Sequence, residues 1–141
     1  MVYSEKVIDH AQNPRNVGFI EDADGMGTCG DPSCGDFAIV TIRVRDGLIT
    51  NCRFLVRGCS AAIATCSVLT EMARNKSLRE AQEITDTAVT AALDGLPPEK
   101  EHCSNLAATA LHAAIDDYRK QHRVDLHDWR APYLGSRRNV G

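Results

Sequence analysis

The chain has 141 residues, 43% of them hydrophobic, and a formal net charge of −3, which suits one ordinary domain with a real core. That mild acidity argues against nucleic-acid binding, which calls for a basic patch or stripe, and Arg137 with Arg138 in the tail are too few to make one. No apolar run approaches the roughly 20 residues that cross a bilayer, and the polar, amphipathic stretch from Met1 to His10 is neither a secretory signal nor an anchor, so the cytoplasm is the expected location.

Ser4 to Ala11 reads as a short helix with Val7, Ile8 and Ala11 on one stripe, stopped by Asn13-Pro14. From Asn16 to Gly27 a weak apolar pattern fits a first strand or an irregular ribbon. Ala38, Val40, Ile42 and Val44 then alternate with more mixed residues, Asp46-Gly47 signals a type I′ turn, and Cys52, Phe54 and Val56 alternate with Asn51, Arg53 and Arg57. Together these predict a β-hairpin with one buried face, within a three-stranded antiparallel sheet. Past Gly58, Ser60 to Arg74 forms an Ala-rich helix with Ile63, Val68, Leu69 and Met72 as its larger apolar groups. Ser77 is an N-cap whose capping box is completed by Glu80, opening a short helix through Ala81 to Glu83. Thr87 to Leu93 predicts another, ended by Gly95 and by Pro97-Pro98. The last helix has the clearest period, through Cys103, Leu106, Ala107, Ala110, Leu111, Ala114, Ile115 and Tyr118. Beyond Gln121 the pattern fades, and Trp129 with Tyr133 is expected to anchor a tail onto the body. The predicted fold class is α+β, a three-stranded antiparallel sheet packed against helices, with residues 1–121 as the domain and 122–141 as a C-terminal extension.

Six cysteines are many for such a chain. Disulfides would suit a secreted domain, core packing is the ordinary fate of a free thiol, and a metal or sulfur site is the third reading. Cys52 lies on the apolar face of its strand and Cys66 within a helix, so both are expected in the core. Cys29 falls in a Gly-rich loop and is read as a loop residue, with an auxiliary thiol as the alternative. His10, His112, His122 and His127 are read as solvent or packing histidines.

The remaining cysteines sit where elements begin or end. Cys34-Gly35-Asp36 opens the hairpin, and residues two apart in an extended segment share a side, so Cys34 and Asp36 face one ion. Gly35 lets the backbone pass close. Cys59 lies where the second arm becomes a helix, beside the hairpin's other outer end, and Cys103 starts the last helix. A helix N-terminus favours thiolate, so both Cys59 and Cys103 are expected to be acidified, with Lys100 and His102 adding cationic or donor groups. Three cysteines with Asp36 or His102 make four ligands, enough for a 2Fe–2S cluster or a tetrahedral zinc. A permanent cluster normally has four thiolates, and a carboxylate or imidazole among them loosens the grip. Residue types alone leave the metal site and scattered structural cysteines as competing readings.

Several motifs at consistent spacing add a resemblance. Tyr3 to His10, Asn13-Pro14-Arg15-Asn16, Cys34-Gly35-Asp36, Gly58-Cys59-Ser60-Ala61-Ala62-Ile63-Ala64 and His102-Cys103-Ser104 are similar, in that order, to the IscU family of iron–sulfur cluster assembly scaffolds, also seen as the N-terminal part of NifU. The resemblance covers roughly residues 2 to 120. It implies an IscU/SufU-like fold and a scaffold rather than an enzyme, one that receives sulfur from a cysteine desulfurase, builds a 2Fe–2S cluster with iron, and passes it to apo-proteins. It implies cluster ligands at Cys34, Cys59, Cys103 and either Asp36 or His102, and persulfide formation at Cys103. It gives Lys100 a place near the site, Tyr3 a part in dimer contacts, and zinc a place in the isolated protein. A ferredoxin, a frataxin-like protein, an Hsp70-type chaperone and a second copy of the chain are the further partners it implies. Leu96-Pro97-Pro98-Glu99-Lys100 resembles the chaperone-recognised segment, but Glu99 stands where the family carries valine, so the resemblance does not carry recognition through that position. The alternatives are a zinc-dependent SufU-like sulfur acceptor and a structural zinc module. The uninterrupted run from Cys59 to Cys103 and the presence of His102 favour the scaffold over the SufU type, and the mixed ligands disfavour closed structural zinc.

Overall fold

The Asp46-Gly47 turn organises the sheet. Asp46 has φ 55° and Gly47 φ 77°, the paired positive values that a type I′ turn needs. They join β2 (Phe37–Arg45) to β3 (Leu48–Arg57), with Arg45 opposite Leu48. The third strand, β1 (Gly25–Gly30), pairs antiparallel with the other side of β2, giving the order β1-β2-β3. The computed structural model describes residues 2–31, 33 and 35–122. Cys34, His127, Trp129 and Tyr133 lie outside the described residues.

The first strand therefore starts later than the Asn16–Gly27 pattern suggests. Asn16 at φ 60° and Gly18 at φ 143° interrupt an extended run. Between them, Val17 makes an isolated parallel bridge to Phe54 on the free edge of β3. Cys29 correspondingly lies on β1 rather than in a loop, half-buried against the core. In β3 the pairing slips beyond Arg43, which faces Asn51 while Val44 faces Ile49, so Thr50 has no opposite number. This bulge brings Ile49 onto the same inner face as Cys52 and Phe54.

That inner face, with Ala38, Val40, Ile42 and Val44 from β2, is covered by α2 (Ser60–Ala73) and α5 (His102–His122). Phe54, Ile42, Ile49 and Leu111 are fully buried, each contributing about 1.5–3 kcal/mol by leaving water. Helix α5 lies directly on β1 because Gly25 and Gly27 have no side chains: a Cβ at either would run into the α5 backbone at Ala110 or Ala114.

Helix α2 is enclosed along most of its circumference. Its interior contacts come from Ala61, Ala62, Ala64, Thr65, Cys66, Ser67 and Thr70 as well as Val68 and Leu69. Ile63 and Met72, expected among its main apolar groups, are only half-buried. Helix α1 (Glu5–Gln12), capped by the Ser4 hydroxyl accepting from the Val7 N–H at 3.1 Å, packs on α2. His10 Nδ1 lies 2.7 Å from Ser67 Oγ, which also accepts the Arg15 N–H at 2.9 Å. His10 is thus a packing histidine, and burial pushes its pKa down. His122 stacks on Tyr118 at a centroid separation of 4.2 Å.

The Ser77–Glu80 capping box opens α3 (Leu78–Gln82), and Thr85 caps α4 (Asp86–Ala92). Asp94 and Gly95 at positive φ end α4, and a 3-10 turn at Pro98–Lys100 leads into α5. Cys52 and Cys66 are fully buried, and burial raises both thiols, Cys52 to about 12. They are inert core residues, as their positions suggest. Among the described residues, no helix is long and apolar enough to cross a membrane.

Candidate metal centre

The site forms where one end of the hairpin meets the starts of two helices. Phe37 pairs with Arg57, so Asp36 and Gly58 stand across from one another just beyond the ladder. A Cβ on Gly58 would stand 3.0 Å from Asp36 Oδ1 and 2.8 Å from the Ala62 Cβ. Gly30, at φ 99°, lies under the Asp36 carbonyl with no room for a Cβ. Two glycines therefore seat Asp36, one beneath its backbone and one beside its carboxylate. Gly35, at φ 154°, supplies the backbone turn that precedes it.

Cys59 is the N-cap of α2, and Cys103 is the second residue of α5. Their sulfurs are 3.9 Å apart. Two thiolates on one tetrahedral ion, at a metal–sulfur distance of about 2.3 Å, are separated by about 3.8 Å. The pair is thus spaced for one zinc, or for one iron of a cluster, before any ion arrives. A carboxylate oxygen of Asp36 completes a group whose ligand atoms all lie within 4.8 Å of one another. His102 Nε2 is 3.7 Å from Cys103 Sγ and 3.5 Å from Asp36 Oδ2. The structure brings Asp36, Cys59, His102 and Cys103 near one another, while Cys34 lies outside the described residues.

The two thiols are not equivalent, contrary to the expectation that both helix starts favour thiolate. Burial opposes ionisation of Cys59, but the N–H groups of Ala62 and Ala61, the neighbouring Cys103 and the Lys100 charge outweigh it and lower its pKa. Cys103 is pushed up to about 12, first by burial and then by the negative charge at Cys59. Its surface is completely covered. Two thiols this close hold one charge more readily than two, and the more exposed sulfur takes it. Lys100 joins the site through Cys59, whose thiolate charge and hydrogen bond raise the lysine pKa. Tyr3 packs with Leu96 against Ala61, Ala62 and Cys103, beside the site rather than in it.

Sequence reasoning missed Thr65, a fully buried hydroxyl shared between the carbonyls of Ala62 and Cys103. Its signal is a polar residue inside an Ala-rich helix, one turn and a half past Cys59. The seat made by Gly30 and Gly58 was also missed, because it depends on contacts across the hairpin.

A small α+β domain with thiolate, carboxylate and imidazole gathered at strand and helix ends defines a class of metal- and sulfur-handling proteins. The model of the NifU-like N terminal domain matches residues 2–125, and the chain belongs to this family. The iron–sulfur cluster assembly scaffold protein IscU 1 of Archaeoglobus fulgidus is 58% identical over 88% of this chain and 82% of its own. The scaffold protein IscU of Escherichia coli is 50% identical over 86% of this chain and 97% of its own. The expected scaffold, rather than an enzyme, agrees with what these relatives are called. The fold is shared with a crystal structure from Fervidobacterium islandicum described as an assembly scaffold for the SUF system, at TM-score 0.65 and 20% identity, over 80% of this chain and 96% of that one.

Proposed function

We propose that this chain is a cytoplasmic scaffold that assembles a 2Fe–2S cluster at Cys34, Cys59 and Cys103, with Asp36 or His102 as fourth ligand, and passes it to apo-proteins. The observation that carries the reading is the 3.9 Å sulfur pair with a carboxylate and an imidazole against it. Thiolates select soft metals, while a hard oxygen or an imidazole in the set lowers retention. His102 and Asp36, 3.5 Å apart, stand close enough to exchange at one coordination position. A resident cluster needs a tight seat, and a cargo cluster needs this looser one.

Sulfur arrives from a cysteine desulfurase. The Cys103 thiolate attacks the outer sulfur of the desulfurase persulfide, the sulfur–sulfur bond breaks, and the desulfurase thiolate leaves. Oxidation level is conserved in that exchange, and reduction of the transferred sulfur to sulfide takes two further electrons from a donor such as a ferredoxin. Cys103 must first be uncovered and lose its proton. His102 Nε2, 3.7 Å from the sulfur, is placed to take it, and Lys100 adds positive charge beside the pair. Zinc fits the same sulfur spacing and would occupy the site when iron and sulfide are absent.

Anaerobic reconstitution with iron and sulfide tests this directly. Visible 2Fe–2S absorption is expected in the wild type and lost in Cys34→Ala, Cys59→Ala and Cys103→Ala. An unchanged spectrum in those variants would contradict the assignment.

A further inference from the structure

The satellite cluster beneath the site contains Ala61, Ala62 and Cys103 as its buried members. These small side chains let the first turns of α2 and α5 approach closely, with Tyr3, Val56 and Leu96 packed around them. The separation of Cys59 and Cys103 depends on how these two turns are aligned.

Beside the sulfur pair itself, a hydroxyl links the two turns through the backbone. Thr65 is fully buried, and its Oγ1 donates to the Ala62 carbonyl at 3.0 Å and to the Cys103 carbonyl at 3.2 Å. The bond to Ala62, within the same helix, would satisfy the hydroxyl by itself. Sharing the proton with Cys103 ties the backbone of that cysteine to the turn that follows Cys59. On the far side, Ser104 Oγ is 2.7 Å from Thr90 Oγ1, which anchors the same turn of α5 to α4.

We propose that Thr65 is a positioning residue for the metal site: its shared hydroxyl holds Cys103 at the distance from Cys59 at which both sulfurs grip one tetrahedral ion. Thr65 touches no ligand atom and acts only through the Cys103 backbone. The proposal rests on Cys59 and Cys103 being co-ligands, as argued above. Both carbonyls are helical and keep their own backbone partners, so removing the hydroxyl loosens the alignment more than the fold. Groups that hydrogen-bond a ligating side chain directly are typically worth about 10- to 100-fold in metal affinity, and a group acting through the ligand's backbone belongs at the lower end of that range.

The test is zinc and cobalt(II) binding to the full chain, with affinity read by chelator competition and thiolate–cobalt charge-transfer absorption as the spectroscopic signature. Thr65→Val keeps the shape and removes the donor, and Thr65→Ser keeps the donor. The expected result is about a tenfold loss of zinc affinity and an altered cobalt spectrum in Thr65→Val, with Thr65→Ser close to wild type. A merely structural threonine would lower the melting temperature and leave affinity and spectrum of the folded protein unchanged. Wild-type affinity and spectrum in Thr65→Val would overturn the proposal, and so would an equal loss in Thr65→Ser. Thr65→Ala, which relieves any crowding, takes the same measurements should Thr65→Val fail to fold. Failure of the wild type to bind either ion would instead refute the metal site itself.

Discussion

Replacing Gly58 with alanine crowds the seat of Asp36 while leaving every proposed ligand residue in place. The new Cβ would stand 2.8 Å from the Ala62 Cβ, 3.0 Å from Asp36 Oδ1 and 3.2 Å from its Cγ. Carbon contacts are optimal at about 3.5–4.0 Å, so the neighbours must yield. Ala62 is buried in the enclosed first turn of α2, so the backbone at residue 58 must shift, and the Asp36 side chain, 31% exposed and 3.5 Å from His102, is the neighbour able to yield with it. The carboxylate is therefore displaced from its seat by a few tenths of an ångström. Overpacking of this kind costs about 1–3 kcal/mol of stability, and loss of an oriented ligand costs about 10- to 100-fold in metal affinity, or about 1.4–2.8 kcal/mol. Zinc affinity by chelator competition, measured in Gly58→Ala, Asp36→Ala and the double variant, separates the two effects. Most of the Gly58→Ala loss in affinity should vanish on the Asp36→Ala background, because the carboxylate through which it acts is gone. An equal loss with and without Asp36 would refute the seating argument.

Gly27→Ala should be among the most damaging single changes in the domain, because its Cβ meets the α5 backbone at Ala110 and Ala114. Thermal unfolding followed by circular dichroism should show a fall of several degrees or loss of the folded state, and an unchanged transition would contradict the close β1–α5 contact. In metal-free protein at neutral pH, iodoacetamide followed by peptide mass mapping should modify Cys59 before Cys103, since Cys59 is the acidified, half-exposed thiol and Cys103 stands at about 12 and covered. Modification of Cys103 first would overturn that division of charge. His10 is held neutral by burial, so its pKa is lower folded than unfolded. Its contribution to stability is complete above the ordinary value of 6.5 and is lost as pH falls below it toward the lowered folded value. Urea midpoints measured across that window should fall less in His10→Gln than in wild type, and an identical acid dependence would count against the burial of His10.

Local features were legible in the sequence. Asp46-Gly47 specifies its own turn, and the Ser77–Glu80 box and the helical period from Cys103 to Tyr118 need nothing beyond nearby residues. The placement of Asp36, Cys59, His102 and Cys103 near one another was legible because each sits at an element boundary that local signals mark. What depends on distant partners was hidden. The bulge at Thr50 shows only in the pairing of β3 with β2, and the true first strand is a glycine-rich run whose merit is the helix it admits. Cys59 and Cys103 both stand at helix starts and look alike in the sequence. Burial and mutual repulsion, which set them apart, arise only once α2 and α5 have packed.

On the proposed function, this site holds a cluster as cargo. Its most direct test is transfer: the anaerobically reconstituted chain is mixed with a chelator-stripped apo-ferredoxin, and the circular dichroism of the acceptor's own 2Fe–2S centre is followed. A holo-ferredoxin signal should grow as the scaffold signal decays. A scaffold signal that persists, with no cluster appearing in the acceptor, would contradict the account.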